Sequence, residues 1–373
     1  MGPMKIGFVA DVHLGNHIRF GGEVKSSINR RAQLVADTLR RAGERADQLG
    51  CSTIYLLGDL FDTHHPIPQL IDLAQRSMVG PEWVLLVGNH DQKSPAPRDH
   101  AMAAMSRMVA AEPSLSVPPG TDTVFLAIPF GPGSSTEWIR KQVDVVLKEK
   151  FRIDVLLIHA GVADDSTPPW LREADDAITV ADLHAVMAKA GARRAFAGNW
   201  HSAQRWKLED PPAAIYQVGT LCPTGFDNPG LNGYGLLVML DTETMEVDAE
   251  EIPGPRFVKV SSDDELRAVM AEFGNFPQRE QYSLFVEYQA SVDVIDPVAA
   301  RLGALEAEGL LAGWEILPDR SRSEKTAREA AQAASGQQTT EAALVAYVEA
   351  MELPADVDRG RVLELSRGFL AGR

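Results

Sequence analysis

Five short groups of Asp, His and Asn residues occur along the first part of the chain, and each directly follows a run of apolar residues. The groups are Asp11-Val12-His13, Gly58–Asp62, Gly88–Asp91, His159 and Gly198–His201. Their carboxylate, imidazole and amide groups offer oxygen and nitrogen ligands that suit Mn, Fe, Zn and related divalent ions. These residue types predict a metal site assembled from several parts of the chain.

Each group taken alone has an ordinary structural explanation. Asp11 and His13 can face the same side of a strand end, but the Asp-x-His pattern is common. Asp62 could cap a helix after the second group, and a single His at a strand end is more often structural than a ligand. Five such groups in order favour a shared metal centre over five separate explanations.

The same residue types indicate the reaction. Two divalent ions roughly 3.5–4 Å apart can generate hydroxide and neutralise the charge that develops on phosphate oxygens. The two carboxylate oxygens of Asp59 can bridge such ions, and Asn89 offers a neutral carbonyl ligand. His90 can donate a proton to a leaving oxygen. The pattern therefore predicts a two-metal phosphoesterase.

Short apolar strands that alternate with helices must position these groups. An amphipathic helix is predicted to begin after Ser26 or Ser27 and to stop at Gly50. The alternation predicts an α/β domain whose strands are buried between helices, with functional residues at the strand ends. The predicted strands are Lys5–Ala10, Thr53–Leu57, Trp83–Val87, Val124–Ile128, Ile153–Ile158, Arg194–Ala197 and Gly235–Leu240.

The pattern changes near Pro253–Pro255. Beyond it the sequence predicts a compact β-α-β-α-β unit, then a polar stretch, Ser321–Thr340, and two helices at Glu341–Met351 and Arg359–Leu370. The apolar residues of these two helices could bind a partner or pack on their own domain. They are Leu344, Val345, Tyr347, Val348, Met351, Val362, Leu363, Leu365 and Phe369.

The five groups resemble the motifs of calcineurin-like metallophosphoesterases. The patterns D-x-H, G-D-x-x-D, G-N-H-D, a lone His and G-H-x-H match residues 11–13, 58–62, 88–91 and 159, and all but one position of 198–201. The resemblance spans residues 1–200 and implies an α/β metallophosphoesterase sandwich, in which two sheets are flanked by helices.

The resemblance also implies roles for these residues. It places one ion on Asp11, His13, Asp59 and His201, and the other on Asp59, Asn89, His159 and Asn199. His90 is then the acid or the transition-state stabiliser. The implied cofactors are two divalent ions, with Mn²⁺ expected and Fe²⁺, Zn²⁺ or Mg²⁺ as alternatives.

Further residues beside the motifs are candidates for supporting or substrate contacts. They are Asp62, Asp91, His17, Arg30 and His64. Positively charged side chains in the loop after the first motif could contact phosphates, although a solvated loop is the simpler interpretation of His17 and Arg30. An ordinary surface position is an equally simple interpretation of His64.

Within this superfamily the sequence is most similar to SbcD-type DNA-repair exonuclease subunits and their phage recombination counterparts. The similarity rests on DVHLG at 11–15, GDLFD at 58–62 and Val218-Gly219-Thr220. It implies four parts: a metallophosphoesterase nuclease domain (residues 1–255), a small α+β capping domain (256–320), a linker (321–340) and a C-terminal helical segment (341–373). The last part would bind an SMC-like (SbcC-type) ATPase, and a homodimer is also compatible with the resemblance.

The negative net charge of the chain disfavours unaided binding of DNA. There are 36 Lys and Arg against 52 Asp and Glu, a net charge of −16. Proteins that bind nucleic acid on their own are more often basic, so metal ions, local basic loops or a partner would have to attract DNA.

Two cysteines do not make a disulfide framework. With no signal peptide or long apolar stretch, we expect a cytoplasmic protein without membrane contact.

We therefore expect a metal-dependent DNA nuclease, exonuclease or endonuclease, that acts in DNA repair, recombination or replication with an ATPase subunit. One alternative is a phosphodiesterase or phosphatase that acts on nucleotides or other small phosphates. Another is a scaffold subunit whose active site is weakened at Asn199. The set of potential ligands at the other motif positions argues against the scaffold.

Asn199 departs from the family pattern, which has His at this position. An amide oxygen binds hard cations but is a poorer ligand than imidazole for most transition metals. We expect Asn199→His to tighten the binding of the second Mn²⁺ equivalent by about tenfold, or about 1.4 kcal/mol, in a calorimetric metal titration. Unchanged affinity and hydrolysis rate would show that Asn199 already coordinates adequately, directly or through water.

Overall fold

The computed structural model describes residues 4–93, 99–226, 231–291, 294–318, 340–351, 353 and 357–371. The chain divides into two compact units. The first comprises Met1–Val258 and Ala268–Phe285, and the second comprises Lys259–Arg267 and Val286–Arg373. The expected linker, 321–340, lies outside the described residues except for Thr340, and the four-part division stays a prediction.

Two six-stranded sheets form the centre of the first unit. The first sheet contains β1 (Lys5–Val9), β4 (Cys51–Leu56), β5 (Glu82–Leu86), β6 (Met108–Ala110), β15 (Leu236–Asp241) and β16 (Val247–Glu251), in the order β16-β15-β1-β4-β5-β6. The second contains β7 (Ser114–Ser116), β8 (Phe125–Ile128), β9 (Val155–His159), β12 (Arg194–Gly198), β13 (Gln204–Glu209) and β14 (Pro212–Gln217), in the order β13-β14-β12-β9-β8-β7.

The strands that carry the motifs are parallel neighbours. In the first sheet β1 pairs with β4 and β4 with β5, so that Phe8 lies opposite Tyr55 and Tyr55 opposite Val84. In the second sheet β9 pairs in parallel with β12, with Leu157 opposite Phe196. The carboxyl ends of β1, β4 and β5 therefore lie at one edge of the first sheet, and those of β9 and β12 at one edge of the second.

Helices cover the outer faces of both sheets. Along each motif strand, alternate side chains face the other sheet or the helices, so the strands are apolar on both faces. The α-helices that lie wholly within this unit are α1 (Arg30–Gln48), α2 (Pro68–Ser77), α3 (Ser135–Lys148), α4 (Pro169–Arg172) and α5 (Val180–Ala190). Two short strand pairs are β2 (Val24–Lys25) with β3 (Ile28–Asn29) and β10 (Gly161–Ala163) with β11 (Ala177–Thr179). The fold is thus the predicted α/β arrangement, with mixed sheets flanked by helices.

The first helix begins later than the sequence predicted. Ser26 and Ser27 have left-handed φ values of 51° and 67° and form the turn between β2 and β3. Asn29 caps α1, and its side-chain oxygen accepts a hydrogen bond of 2.8 Å from the Ala32 backbone N–H. The predicted stop at Gly50 agrees with the structure, because Gly50 follows the last helical turn with a φ of 77°.

The elements beyond Pro255 follow the predicted β-α-β-α-β order. They are β17 (Pro255–Val260), α6 (Asp263–Gly274), β18 (Ser283–Ala290), α7 (Ile295–Ala307) and β19 (Gly313–Pro318), and the strands form a sheet in the order β17-β18-β19. Two terminal helices follow, α8 (Thr340–Ala350) and α9 (Arg359–Ala371). Among the described helices, none is both long enough and apolar enough to cross a membrane.

The proposed partner-binding residues on α8 and α9 are unequally buried. Val348 is buried, whereas the side chain of Leu365 is 53% exposed. Arg359 donates hydrogen bonds of 3.1 and 2.7 Å to the carbonyl oxygens of Glu349 and Met351, and these bonds join the two helices. The side chain of Phe369 lies outside the described part of α9.

A stack of aromatic rings fills the space between the two sheets of the first unit. The ring centroids of Phe8 and Phe196 lie 3.9 Å apart with an interplanar angle of 13°. Phe8 comes from the first sheet and Phe196 from the second, and both are fully buried. This contact joins the strand that ends at the first motif to the strand that ends at the last motif.

We expect Phe8→Ala to lower the free energy of unfolding by about 3–5 kcal/mol, because it leaves a cavity between the sheets. Urea denaturation followed by near-UV circular dichroism measures this loss. Phe151→Ala is the matched control, since that ring is 54% exposed, and its effect should stay within about 0.5 kcal/mol. Equal effects of the two substitutions would contradict the importance of the aromatic stack.

Candidate metal centre

Loops after five parallel strands bring the motif residues together where the edges of the two sheets meet. Asp11 and His13 follow β1, Asp59 follows β4, and Asn89 follows β5. From the second sheet, β9 ends at His159, and β12 is followed by Asn199 and His201. Ligands at the carboxyl ends of strands are the arrangement that the sequence predicted.

Four of these residues have a left-handed backbone. The φ values are 52° at Asp11, 49° at His13, 53° at Asp59 and 88° at Asn199. Such conformations cost of order 1 kcal/mol or more for residues other than glycine and are concentrated at functional sites. Here the Asp59 carbonyl oxygen accepts hydrogen bonds from the backbone N–H groups of Val12 (2.9 Å) and His13 (3.0 Å), which tie the first two loops together.

One cluster of potential ligands consists of Asp11, His13 and His201, with one ligand atom of each within 4.8 Å of the others. The Nε2 atoms of His13 and His201 are 3.0 Å apart. The Nδ1 atom of His13 is buried and has no hydrogen-bond partner in the described part of the protein. Two imidazole nitrogens that face each other this closely repel unless a proton or a cation lies beside both of them.

A second cluster consists of Asp11, Asp59 and His159. The Nε2 atom of His159 lies 3.5 Å from the Asp59 carboxylate and 2.8 Å from Asn89 Oδ1. On the other side of the ring, Nδ1 of His159 donates a hydrogen bond of 2.7 Å to the Leu57 carbonyl oxygen. This bond turns Nε2 toward the cluster, as the outer hydrogen bond of a metal-binding histidine commonly does.

His90 is more exposed than the clustered ligands. Its Nδ1 lies 3.1 Å from the Asp62 carbonyl oxygen, which fits a donated hydrogen bond, and its backbone N–H donates to Asp59 (3.0 Å). Its ring meets His13 edge-on at 4.8 Å. Because Nδ1 is engaged, Nε2 is the atom available to a substrate oxygen, which suits the predicted role of His90 as an acid.

Burial and neighbouring charges together set the protonation of the clusters. It raises the pKa of Asp11 to about 7 and lowers the pKa of His13 to about 3, so His13 is the neutral imidazole that a metal requires. Burial would also lower the pKa of His159, but the Asp59 carboxylate outweighs it and raises this pKa to about 9. The pKa of Asp59 is lowered, since His159 and His13 outweigh the effect of burial. A cation bound between Asp59 and His159 would displace the histidine proton.

These observations fit two divalent ions, with the Asp59 carboxylate placed between two nitrogen-containing clusters. The donor set combines carboxylate oxygens, neutral imidazoles and one amide oxygen, as hard and borderline cations prefer. One ion would be held by Asp11, His13, Asp59 and His201, and the other by Asp59, Asn89, His159 and Asn199. These individual assignments stay predictions.

The candidate supporting residues lie in different settings. The buried Asp91 carboxylate accepts hydrogen bonds of 3.0 Å from the N–H groups of Phe61 and Gly88, so it braces the loops after β4 and β5. Burial raises its pKa to about 7. Asp62 is not a helix cap, because α2 begins at Pro68; its carboxylate instead lies 3.8 Å from His13 Nδ1.

The other three candidates are further from the ligands or more exposed. His17 Nε2 donates a hydrogen bond of 3.0 Å to the His13 carbonyl oxygen, and its Nδ1 lies 3.7 Å from Asp62. Arg30 is the exposed first residue of α1. The ring of His64 pairs with that of His65 at 4.1 Å. Contacts of these residues with substrate stay predictions.

Two buried residues that support the site had no predicted role. Gln217 donates from Nε2 to the carbonyl oxygens of Gly198 (3.1 Å) and Trp200 (3.2 Å), so it holds the last motif loop. Thr220 donates from Oγ1 to the Asp11 carbonyl oxygen at 2.6 Å. The Val218-Gly219-Thr220 likeness pointed to Thr220, whereas a single Gln at the end of a strand gives no such signal.

Comparison with known proteins identifies a matching protein family and several distantly similar structures. A family model described as calcineurin-like phosphoesterase matches residues 4–215. Among curated proteins, none matches the sequence. A dimetal phosphatase from Danio rerio shares 13% identity at a TM-score of 0.42, over 67% of this chain and 99% of that one. A putative 5′-nucleotidase from Staphylococcus aureus shares 15% identity at a TM-score of 0.42, over 73% of this chain and 59% of that one. At TM-scores this low, neither structure indicates the substrate of this chain.

Gly88 allows the Asp59 carboxylate to approach the loop after β5. A Cβ atom at residue 88 would lie 2.1 Å from Asp59 Oδ1 and 2.4 Å from its backbone nitrogen. We expect Gly88→Ala to weaken Mn²⁺ binding by roughly 10–100-fold in calorimetric titration, because Asp59 must move. Gly225→Ala is the control, since no heavy atom lies within 4 Å of its Cβ position. Wild-type affinity in Gly88→Ala would show that Asp59 is not a ligand.

Proposed function

Since this chain belongs to the calcineurin-like phosphoesterase family and is a metal-dependent phosphoesterase, we propose that its substrate is DNA and that it is a nuclease. The observation that carries the proposal is the buried Asp59 carboxylate between two imidazoles, 3.5 Å from His159 Nε2 and 3.9 Å from His13 Nε2, with the exposed His90 beside it. A buried double cluster with an exposed acid at its margin suits a phosphodiester bond that approaches from solvent.

The chain's own residues have distinct tasks in this proposal. Two bound divalent ions would supply the nucleophile and neutralise charge on the phosphate. Asp59 lies between the imidazoles of His13 and His159, and Nδ1 of His159 is held by the Leu57 carbonyl oxygen. His90, fixed through Nδ1 by the Asp62 carbonyl oxygen, can give a proton to the leaving oxygen from Nε2.

Support for DNA rather than a small phosphate comes from the likeness to SbcD-type nucleases. The DVHLG and GDLFD stretches carry it, and the β-α-β-α-β elements follow β16 in the chain, where such nucleases have a capping domain. Mn²⁺ is the metal that we propose. The same likeness supports a role in DNA repair, recombination or replication, and the low cysteine count supports a cytoplasmic location.

An SMC-like ATPase is the partner that we propose. The net charge of −16 disfavours unaided binding of a polyanion, and a partner that grips DNA would offset this repulsion. The terminal helices α8 and α9 are the proposed contact, with the half-exposed Leu365 as one apolar residue that a partner could cover.

The test is release of nucleotides from linear single- and double-stranded DNA in Mn²⁺ by the full chain and by Asp59→Ala. We expect the wild type to degrade DNA and Asp59→Ala to be slower by roughly a hundredfold or more, because the carboxylate that lies between His13 and His159 is lost. Asp72→Ala is the matched control, since this carboxylate lies on α2 and is 65% exposed. It should retain full activity.

Three outcomes would overturn parts of the proposal. Cleavage of a small phosphodiester without cleavage of DNA would favour nucleotides or other small phosphates as substrates. Equal activity of Asp59→Ala and the wild type would remove Asp59 from the centre. If neither DNA nor the small phosphodiester is cleaved, with or without an ATPase partner, the chain would be better explained as a scaffold subunit.

A further inference from the structure

Asn199 makes two sets of hydrogen bonds at the edge of the metal centre. Its backbone N–H donates to both carboxylate oxygens of Asp11, at 3.0 and 3.1 Å. Its side-chain Nδ2 donates to the carboxylate of Asp176 at 3.0 Å and to the backbone carbonyl oxygen of the same residue at 3.3 Å. Asp176 thus contacts the position at which this chain departs from its family.

The contacts with Asp176 determine which atom of the Asn199 amide is already engaged. The carbonyl oxygen of Asp176 can only accept hydrogen bonds, and so can an ionised carboxylate. Only Nδ2 of Asn199 can satisfy these two acceptors, so Oδ1 must point elsewhere. Within the described residues, Oδ1 of Asn199 accepts no protein hydrogen bond, which leaves it free to bind a cation.

Asp176 itself lies outside the ligand clusters. The clusters of Asp and His atoms within 4.8 Å of one another include Asp11, Asp59 and His159 but not Asp176. Among the described residues, its carboxylate therefore does not share a ligand position with these three. The hydrogen bonds to Asn199 are therefore the contacts through which Asp176 can orient a group at the second cluster.

The backbone holds Asp176 firmly beside the centre. Its carbonyl oxygen also accepts a hydrogen bond of 2.9 Å from the Gly161 N–H. It precedes β11, whose first residue, Ala177, pairs with Gly161 at the start of β10. Because β10 follows His159 after a single residue, Asp176 is anchored to the same loop as this ligand.

We propose that Asp176 is a positioning residue, which orients the Asn199 amide so that Oδ1 binds the second divalent ion. The Asn199–Asp176 pair then takes the place of the family's imidazole, in the way that a carboxylate orients a metal-binding histidine from outside. This inference rests on the two-ion centre of the proposed function and is independent of the identity of the substrate.

The test counts Mn²⁺ ions and measures their affinities in the full chain by isothermal titration calorimetry and electron paramagnetic resonance. In Asp176→Asn the new amide can donate as well as accept, so it no longer distinguishes the two ends of Asn199. We expect the second Mn²⁺ to bind roughly 10–100-fold more weakly, while the first binds as in the wild type. Asp175→Asn, which makes the same charge change on the exposed neighbouring residue, should bind both ions normally.

A double-mutant cycle shows whether Asp176 acts through Asn199. Asn199→Gly removes the amide but keeps the backbone N–H, and glycine tolerates the φ of 88°. In that background, Asp176→Asn should cause no further loss of the second ion. Retained binding of the first ion shows that each variant is folded.

Several results would overturn the inference. One is a wild type that binds a single Mn²⁺ ion. Others are normal binding of both ions by Asp176→Asn, loss of both ions in Asp176→Asn, or an equal loss of affinity for the second ion in Asp175→Asn. The last is a double variant in which the two losses of affinity for the second ion add up. Failure to cleave DNA would refute the proposed substrate without changing these ion counts, so the two proposals fail separately.

Discussion

The buried carboxylate of Asp59 is the group on which the rest of the site depends. It is 1% exposed, and a buried charge of this kind costs several kcal/mol unless it is paired. Its partners are the backbone N–H of His90 at 3.0 Å and the imidazoles of His159 and His13 at 3.5 and 3.9 Å. Since the imidazoles come from both sheets, the sandwich must hold its two edges in fixed register to neutralise one side chain.

Hydrogen bonds and the apolar core meet this requirement in different ways. His159 donates a hydrogen bond to the Leu57 carbonyl oxygen, and Thr220 donates one to the Asp11 carbonyl oxygen. These two bonds join residues at the ends of strands in the second sheet to loops of the first sheet. Stacking of Phe8 on Phe196 joins β1 to β12 beneath the loops. Asp11, His13, Asp59 and Asn199 can therefore keep left-handed backbones that isolated loops would not maintain.

The sequence predicted the strand ends and the ligand types because both are local signals. An apolar run followed by Gly-Asp or Gly-Asn marks a buried strand and its exit, and the motif strands ended within two residues of these predictions. The start of α1 was wrong, because Ser26 resembles a helix cap but lies in a tight turn. Asp176 and Gln217 could not be predicted, since their partners are distant in sequence and depend on how the loops pack.

The acidity of the chain is compatible with a polyanionic substrate once distance is considered. Two divalent cations would bring four positive charges to a centre whose clusters contain the carboxylates of Asp11, Asp59 and Asp62, with Asp176 nearby. The buried His13 is neutral and so adds no charge that would repel these cations. Most of the excess acidic residues lie in 201–373, and salt screens exposed charges beyond about 8 Å. A phosphate at the centre therefore experiences the ions more strongly than the net charge of −16, whereas long stretches of DNA would experience the opposite. A competent phosphoesterase site is therefore compatible with the proposal that a partner retains DNA.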